Sequence, residues 1–269
     1  MKKTKTAFDH KSFSQRLNSM LRVDFRRMFT SSMLWIMLGC ALVMPILVLV
    51  MTTGFAGTTI ADPNTGVETT MEAFTNTWQI IATESGAGMM GMDMTAMMNI
   101  NLMYFLAGIF LCLFVGEDFR SGYAKNLFTV RSLKGDYVAS KTIAGFVAGA
   151  LMLIAFFLGA VLGGSFAGLS FELGAAGVFG VVMCMLAKIS LMLVFVAIFL
   201  LMSVYAKQRT WLSILLALFG GMLLFMMIPM MTPLNSGIGN LFMCLVGGAI
   251  FAAGIGQGSR LILQKTNLV

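Results

Sequence analysis

Long apolar runs dominate this sequence, and they restrict the folds that the chain can adopt. Six runs approach or exceed the roughly 20 residues that a helix needs to cross about 30 Å of hydrocarbon. They lie at 32–52, 99–115, 142–163, 176–204, 211–231 and 238–258. Only 11% of the 269 residues are charged, and the mean hydropathy is +0.90, whereas a soluble helical domain needs charged helix faces. The sequence therefore predicts an all-α membrane protein with six transmembrane helices.

The distribution of basic residues predicts how these helices are oriented, because Lys and Arg are retained on the cytoplasmic side of a membrane. Segment 1–31 carries eight basic residues and segment 116–141 carries five. The connections at 53–98, 164–175 and 232–237 carry none. Seventeen of the eighteen basic residues thus fall on one predicted side. We expect both termini and the charged segment 116–141 to be cytoplasmic.

This layout divides the chain into three parts: a cytoplasmic amphipathic segment at 1–31, a six-span transmembrane domain at 32–258 and a cytoplasmic tail at 259–269. In the first part, apolar side chains recur at helical spacing and arginines occupy the rest of the wheel. That pattern is typical of an amphipathic elbow helix in the inner membrane interface, with its cations near anionic headgroups. A plain basic anchor before the first span is the alternative.

The outer loop at 53–98 is too long to be a simple turn. Residues 71–82 place large apolar side chains on one face, which predicts a helix resting on the outer leaflet with Trp78 at headgroup depth. Residues 89–98 contain six methionines, whose thioethers could bind Cu(I). No His or Cys joins them, so an adaptable apolar surface is the favoured interpretation.

Lys188 is the one basic residue that departs from the charge pattern, since it lies near the middle of the fourth predicted span. A cation at the centre of a bilayer costs at least about 2.5 kcal/mol, so it should face the protein interior or a watery cavity. It could contact an anionic substrate or relay a proton. It could equally be a structural partner of a backbone carbonyl, or the limits of the predicted span 176–204, which is longer than a crossing needs, could be misplaced. The sequence leaves these interpretations open.

The chain lacks the residue patterns that catalysis or metal binding would need. The cysteines at 40, 112, 184 and 244 fall inside apolar runs, where they are expected to be small buried hydrophobes, and the single histidine is in the polar N-terminal tail. No Gly-Lys of a phosphate-binding loop and no Gly-x-Ser-x-Gly nucleophile motif occurs. We expect no catalytic residue, metal site or cofactor in this chain. Uphill transport would need ATP hydrolysed by another polypeptide, or an ion gradient.

Segment 116–141, GEDFRSGYAKNLFTVRSLKGDYVASK, resembles bacterial ATP-binding-cassette (ABC) type 2 permeases. The match begins with the acidic pair Glu117-Asp118 and with Gly122, four residues after the second acid. It continues with the pair Lys125-Asn126, the apolar pair Leu127-Phe128 and the pair Ser140-Lys141, which opens the third span. Two positions depart from the family pattern, because Tyr123 replaces a threonine and the order Arg131-Ser132 is reversed. These departures bear on which residues of the segment would contact an ATPase, and not on the resemblance to this class of permeases.

The resemblance implies a multi-pass protein of the bacterial cell membrane with a cytoplasmic helix, between the second and third spans, that docks on an ATPase subunit. It implies that ATP and Mg²⁺ are bound by that partner ATPase, and that two permeases pair as a homodimer or a heterodimer. The other expected partner is the lipid bilayer, and no nucleic acid is expected. The predicted ATPase-coupling residues are Glu117, Asp118, Arg120, Gly122, Lys125 and Asn126.

The leading functional hypothesis is the membrane subunit of an ABC exporter that catalyses no reaction itself. Its substrate would be hydrophobic or amphipathic, such as a peptide antibiotic or a lipid, because the predicted pathway is apolar. The alternative is an ion-coupled secondary transporter or channel with Lys188 in the pathway. A third possibility is an ATPase-linked sensor or immunity component that expels a ligand from the bilayer.

Overall fold

A computed structural model describes residues 12–61, 68–70, 74–82, 99–130, 134–174, 176–207, 209–225 and 227–265, and most of them are helical. The α-helices are, in chain order, α1 (Phe13–Thr30), α2 (Ser32–Gly54), α3 (Leu102–Arg120), α4 (Tyr123–Val130), α5 (Lys134–Ala167), α6 (Gly177–Ala206), α7 (Thr210–Phe225), α8 (Ile228–Met231) and α9 (Ile238–Lys265). Two three-residue strands, β1 (Thr59–Ala61) and β2 (Glu68–Thr70), pair antiparallel with Ile60 opposite Thr69.

Five helices are long and apolar enough to cross a membrane, namely α2, α3, α5, α6 and α9. They confirm five of the six predicted spans as helices, with shifted bounds. The predicted span 211–231 corresponds to the shorter α7, whose 16 residues reach about 24 Å, followed by the single turn of α8. Two prolines explain the early end. Pro229, in the first turn of α8, has no N–H to donate to the carbonyl group at the end of α7, and Pro233 disfavours helical geometry at Thr232. The sixth span therefore stays a prediction.

Helices α2 and α5 meet at glycines. A Cβ atom added to Gly159 would lie 2.1 Å from the carbonyl oxygen of Leu42, and one added to Gly163 would lie 2.8 Å from Ile46 Cα. Only glycine permits so close an approach of two helix backbones. The contact also accommodates Pro45, which is buried inside α2 against Gly159.

Helices α3 and α6 form the centre of the bundle and carry several of its largest buried side chains. Tyr104 stacks on Phe195 with ring centroids 4.5 Å apart, and the Phe199 ring occupies the space that a side chain at Gly108 would fill. Helices α2 and α9 lie at the periphery and expose large apolar side chains such as Ile250, which is 69% exposed. Such faces are suited to contact with lipid.

The bundle has two different ends. At the end called here the basic end, α1 crosses beside the start of α5 and the end of α3, with Met20, Asp24 and Met28 turned inward. The helix predicted for the N-terminal segment is thus confirmed, although its buried face includes an acid. The four-residue spacing of these three residues places them on one face of the helix.

The opposite end is closed partly by the loop after β2. Residues 74–82 are the described part of the helix predicted for 71–82, and they form a single 3₁₀ turn, Thr77–Ile80, instead. Asn76 caps this turn and Gln79 completes the capping box. Trp78 stacks on Phe157 and donates from Nε1 to the carbonyl oxygen of Phe171 at 3.2 Å, so its ring packs against protein. The methionine-rich stretch 89–98 lies outside the described residues.

Candidate functional site

The short helix α4 lies at the basic end, between α3 and α5 in the chain. Helix α3 ends at Arg120, and Gly122 then adopts φ +74°, a left-handed conformation that glycine accepts without strain. This turn allows α4 to begin at Tyr123, with Asn126 donating its backbone N–H to the carbonyl oxygen of Gly122 at 3.1 Å. Gly122, which was predicted to belong to the coupling surface, therefore allows the backbone to turn between α3 and α4.

Most of the predicted coupling residues lie on the surface. Glu117, Arg120, Lys125 and Asn126 are exposed, and Gly122 is partly exposed. Arg120 and Glu117 form an ion pair in which each side chain is more than half exposed. Such a pair contributes little to stability because water screens it. The cluster of polar groups is accessible to a partner in this protomer.

Asp118 has different surroundings, since it is fully buried at the root of α4. Its Oδ2 lies 2.7 Å from Lys141 Nζ and accepts a hydrogen bond from the Tyr137 hydroxyl at 3.0 Å. Its Oδ1 lies 2.7 Å from Arg27 Nη1, an ion contact whose angles are too poor for a hydrogen bond. The side chain predicted to face an ATPase thus binds groups of its own chain.

Lys141 joins this acid to a second one on α1. Its Nζ donates to Asp24 Oδ1 at 2.8 Å, and Asp24 Oδ2 accepts from the Ser140 hydroxyl at 2.6 Å. Asp24, Arg27, Asp118 and Lys141 are named here the four-charge cluster. It contains two cations and two anions, and it connects α1, α3 and α5.

Aromatic rings cover the four-charge cluster and attach α4 to it. Lys141 Nζ lies 4.0 Å from the centroid of the Phe114 ring, and the Arg27 guanidinium lies 4.4 Å from that of Tyr123, the first residue of α4. Phe128, also in α4, packs edge-on against Tyr137 with centroids 5.3 Å apart. The inward side of α4 is therefore fixed to the cluster.

The surroundings of Arg27 keep it charged. Burial lowers the pKa of Arg27. The adjacent Asp118 carboxylate and the more distant acidic groups together raise it by more than burial lowers it, so the pKa lies above its usual value. A buried charge without a partner is strongly unfavourable, and removing one partner of such a pair typically costs about 3–5 kcal/mol. The four charges depend on one another.

The comparison with known protein families is consistent with this arrangement. A family model described as ABC-2 family transporter protein matches residues 21–224, about three quarters of the chain. The chain belongs to the ABC-2 transporter family. Searches of curated proteins and of solved structures gave no significant match. As an ABC-2 permease, it is a multi-pass membrane protein, and its family implies an ABC ATPase partner in general.

Lys188 lies in the packed interior of the permease, toward the end opposite α4. Its Nζ donates to Asn101 Oδ1 at 2.8 Å and to Thr232 Oγ1 at 3.0 Å, while its carbonyl oxygen accepts from the Tyr104 hydroxyl at 2.8 Å. The side chain is fully buried, and no carboxylate forms an ion pair with it within the described ranges. Lys188 therefore joins the start of α3 to the turn after α8.

Other predicted features have clear positions in the permease. Cys112, Cys184 and Cys244 are buried as expected, whereas Cys40 is exposed on the peripheral helix α2. It was wrong to expect all four to be buried, because α2 presents a wide apolar face to its surroundings.

Over the residues that the structure describes, no group of three or more His, Cys, Asp or Glu side chains could hold a metal ion.

The sequence prediction missed Asp24 and Arg27 as partners of the charged segment. The sequence did contain one indication that Asp24 is buried. Asp24 lies four residues after Met20 and four before Met28, which places this acid on the apolar face of α1. A charged side chain in such a position needs a partner. That partner, Lys141, is 117 residues away in the sequence, so the pattern alone could not identify it.

Proposed function

We propose that this ABC-2 permease is the membrane subunit of an ATP-driven exporter, with ATP and Mg²⁺ bound by a separate cytoplasmic ATPase. The observation that carries the proposal is the two-sided character of α4. Its outer side presents Lys125 and Asn126 to solvent. On its inner side, Tyr123 lies against Arg27 of the four-charge cluster, and Phe128 packs on Tyr137, which donates a hydrogen bond to Asp118. A helix with those two sides is suited to pass motion from a soluble partner to the spans.

The proposed coupling surface consists of the exposed residues Glu117, Arg120, Gly122, Lys125 and Asn126. Exposed charges of both signs give such a contact specificity and a defined orientation. Asp118 has a positioning role in this proposal, since it joins the end of α3 to Arg27 and Lys141. Movement of the ATPase would then displace α1, α3, α4 and α5 together as a rigid unit.

The proposal includes an orientation and an assembly. The basic end of the bundle is cytoplasmic, with both termini there and α7 completing six spans; the distribution of basic residues supports this. Two permeases pair, as a homodimer or heterodimer, in a bacterial cell membrane. The exported substrate is hydrophobic or amphipathic, because the faces that could enclose a pathway are apolar.

Cross-linking tests the coupling surface directly. In a Cys40→Ser background, Asn126→Cys and Ser165→Cys each add one exposed thiol, the first on α4 and the second at the opposite end of α5. After photoactivatable labelling in native membranes, Asn126→Cys should cross-link to an ATPase subunit that co-purifies in roughly equal amount. Cross-linking from Ser165→Cys alone, or co-purification of no ATPase with folded permease, would refute the proposal.

One observation keeps an ion-coupled transporter as the second candidate. Lys188 is a fully buried amine held by the neutral groups of Asn101 and Thr232. An amine in that setting could carry a proton or meet an anion during transport. Substrate movement in proteoliposomes that contain the permease, a pH gradient and no ATPase would favour this candidate over the exporter.

A further inference from the structure

A groove at the basic end lies between α1, α5 and α9. Its volume is about 470 Å³. The polar side chains of its lining are those of Arg16, Asp136, Thr142, Gln257 and Arg260. The apolar part includes Ile143 on α5 and Ala252 on α9. None of these residues belongs to the proposed coupling surface or to the four-charge cluster.

The polar part of the groove carries a net positive charge. Arg16 Nε binds Asp136 Oδ2 at 2.8 Å, so this pair is neutral as a unit. Arg260 is a second cation, and no described carboxylate lies within ion-pair distance of it. Its side chain runs over Gly135, where a Cβ atom would be 3.5 Å from Arg260 Cδ. The described residues that line the groove therefore have an excess of one positive charge, which complements an anion.

The groove also crosses from polar to apolar surface along both of its long walls. On α5, Asp136 precedes Ile143 by seven residues, about 10 Å of helix. On α9, Ala252 precedes Arg260 by eight residues, about 12 Å. The apolar walls fall within the predicted spans 142–163 and 238–258, and the arginines lie beyond them. A ligand that fits must be anionic at one end and apolar at the other.

We propose that this groove binds one anionic phospholipid of the leaflet at the basic end. The phosphate would lie beside Arg260 and the Arg16–Asp136 pair, and an acyl chain would run between α5 and α9 past Val138 and Ile143. Basic pockets between membrane helices recognise such headgroups through their charge. A zwitterionic lipid is disfavoured because its headgroup brings a cation of its own toward Arg260.

Native mass spectrometry of the purified permease measures this site without any transport assay. The protein in neutral detergent is titrated with dioleoylphosphatidylglycerol and, separately, with dioleoylphosphatidylcholine. We expect one phosphatidylglycerol to be retained in preference to phosphatidylcholine. Arg260→Gln should weaken that binding about fivefold, the effect of one cation near an anionic lipid surface. Arg260→Lys should restore most of it, and Lys265→Gln, at the exposed end of α9, should leave it unchanged.

A pair of glycines on α9 tests the apolar part of the groove. A Cβ atom at Gly256 would lie 3.7 Å from Val138 Cγ1, so Gly256→Leu fills the groove, whereas Gly254 faces open space. Gly256→Leu should reduce phosphatidylglycerol binding and Gly254→Leu should not. Equal retention of the two lipids, unchanged binding in Arg260→Gln or Gly256→Leu, or equal competition by glycerol phosphate would overturn the proposal. So would occupation of the groove by a second copy of the chain in cross-linking.

Discussion

Two neighbouring acids at the end of α3 have opposite surroundings. Glu117 points to solvent beside Arg120, whereas Asp118 is buried against Arg27 and Lys141. Consecutive residues in a helix are separated by about 100° around the axis, so one side chain can face the bundle and the next a partner. We interpret Glu117 as a contact residue and Asp118 as a residue that positions α3 and α4.

The four-charge cluster makes a strong prediction about Lys141. Among the described residues, Lys141→Met leaves buried Asp24 with no cation at ion-pair distance and leaves Asp118 with Arg27, so the folded state should lose about 3–5 kcal/mol. Lys125→Met is a control of the same chemistry at an exposed site. Unfolding in detergent, followed by helix content, measures the difference between the two variants.

The double variant Asp24→Asn, Lys141→Met keeps the cluster neutral, with Arg27 and Asp118 as the remaining ion pair. It should recover part of the stability that Lys141→Met loses. Equal stability of the single and double variants would show that the charges do not depend on one another.

Lys188 invites a separate prediction, because its partners are neutral. Lys188→Met keeps the approximate volume but leaves Asn101 Oδ1 without a donor, so folded yield should fall, with a loss of about 1–3 kcal/mol. Leu186→Met, on the exposed side of the same helix, is the control. Unchanged thermal unfolding combined with lost transport would instead support a role of Lys188 in the pathway.

At the scale of elements, α4 should be the helix on which ATPase coupling depends. Arg120→Glu and Lys125→Glu reverse exposed charges on the proposed surface, so each should weaken ATPase stimulation about fivefold while insertion and folding are retained. Lys265→Glu makes the same change at the end of α9 and should have no effect. ATPase assays on the co-purified complex decide between these outcomes, and normal stimulation in both α4 variants would contradict the assignment.

The packing of α2 on α5 leads to a prediction about two glycines. Gly159→Ala should destabilise the fold by about 2 kcal/mol or more, because the new methyl group would meet the Leu42 carbonyl oxygen. Gly39→Ala, on the open side of α2, should be neutral or stabilising, since alanine favours a helix more than glycine does. Thermal unfolding of both variants measures the difference, and equal values would exclude close packing at this crossing.

For the whole molecule, the elements were more predictable than their contacts. Apolar run length and helical spacing are local properties, so α1 and five spans could be predicted from the sequence. The four-charge cluster joins residues more than 90 sequence positions apart, from Asp24 to Asp118, so local patterns do not contain it. The 3₁₀ turn at Thr77–Ile80 and the short α8 departed from expectation because capping and proline overrode apolar periodicity.

The two ends of the permease are held together by different chemistry. Ion pairs join the elements of the basic end. Hydrogen bonds from Lys188 to neutral side chains and aromatic stacking around Trp78 join those of the opposite end. High salt weakens exposed charge contacts more than buried ones. The α4 surface should therefore lose its partner at salt concentrations that leave the bundle itself folded.

The balance of the four-charge cluster also has an electrical consequence. Moving one elementary charge through a potential of 100 mV involves about 2.3 kcal/mol. The cluster holds as many positive as negative groups, so displacing it as a unit transfers no net charge across the field. In the proposed exporter, the cluster itself would then add no voltage dependence to a movement of α1, α3 and α5 together.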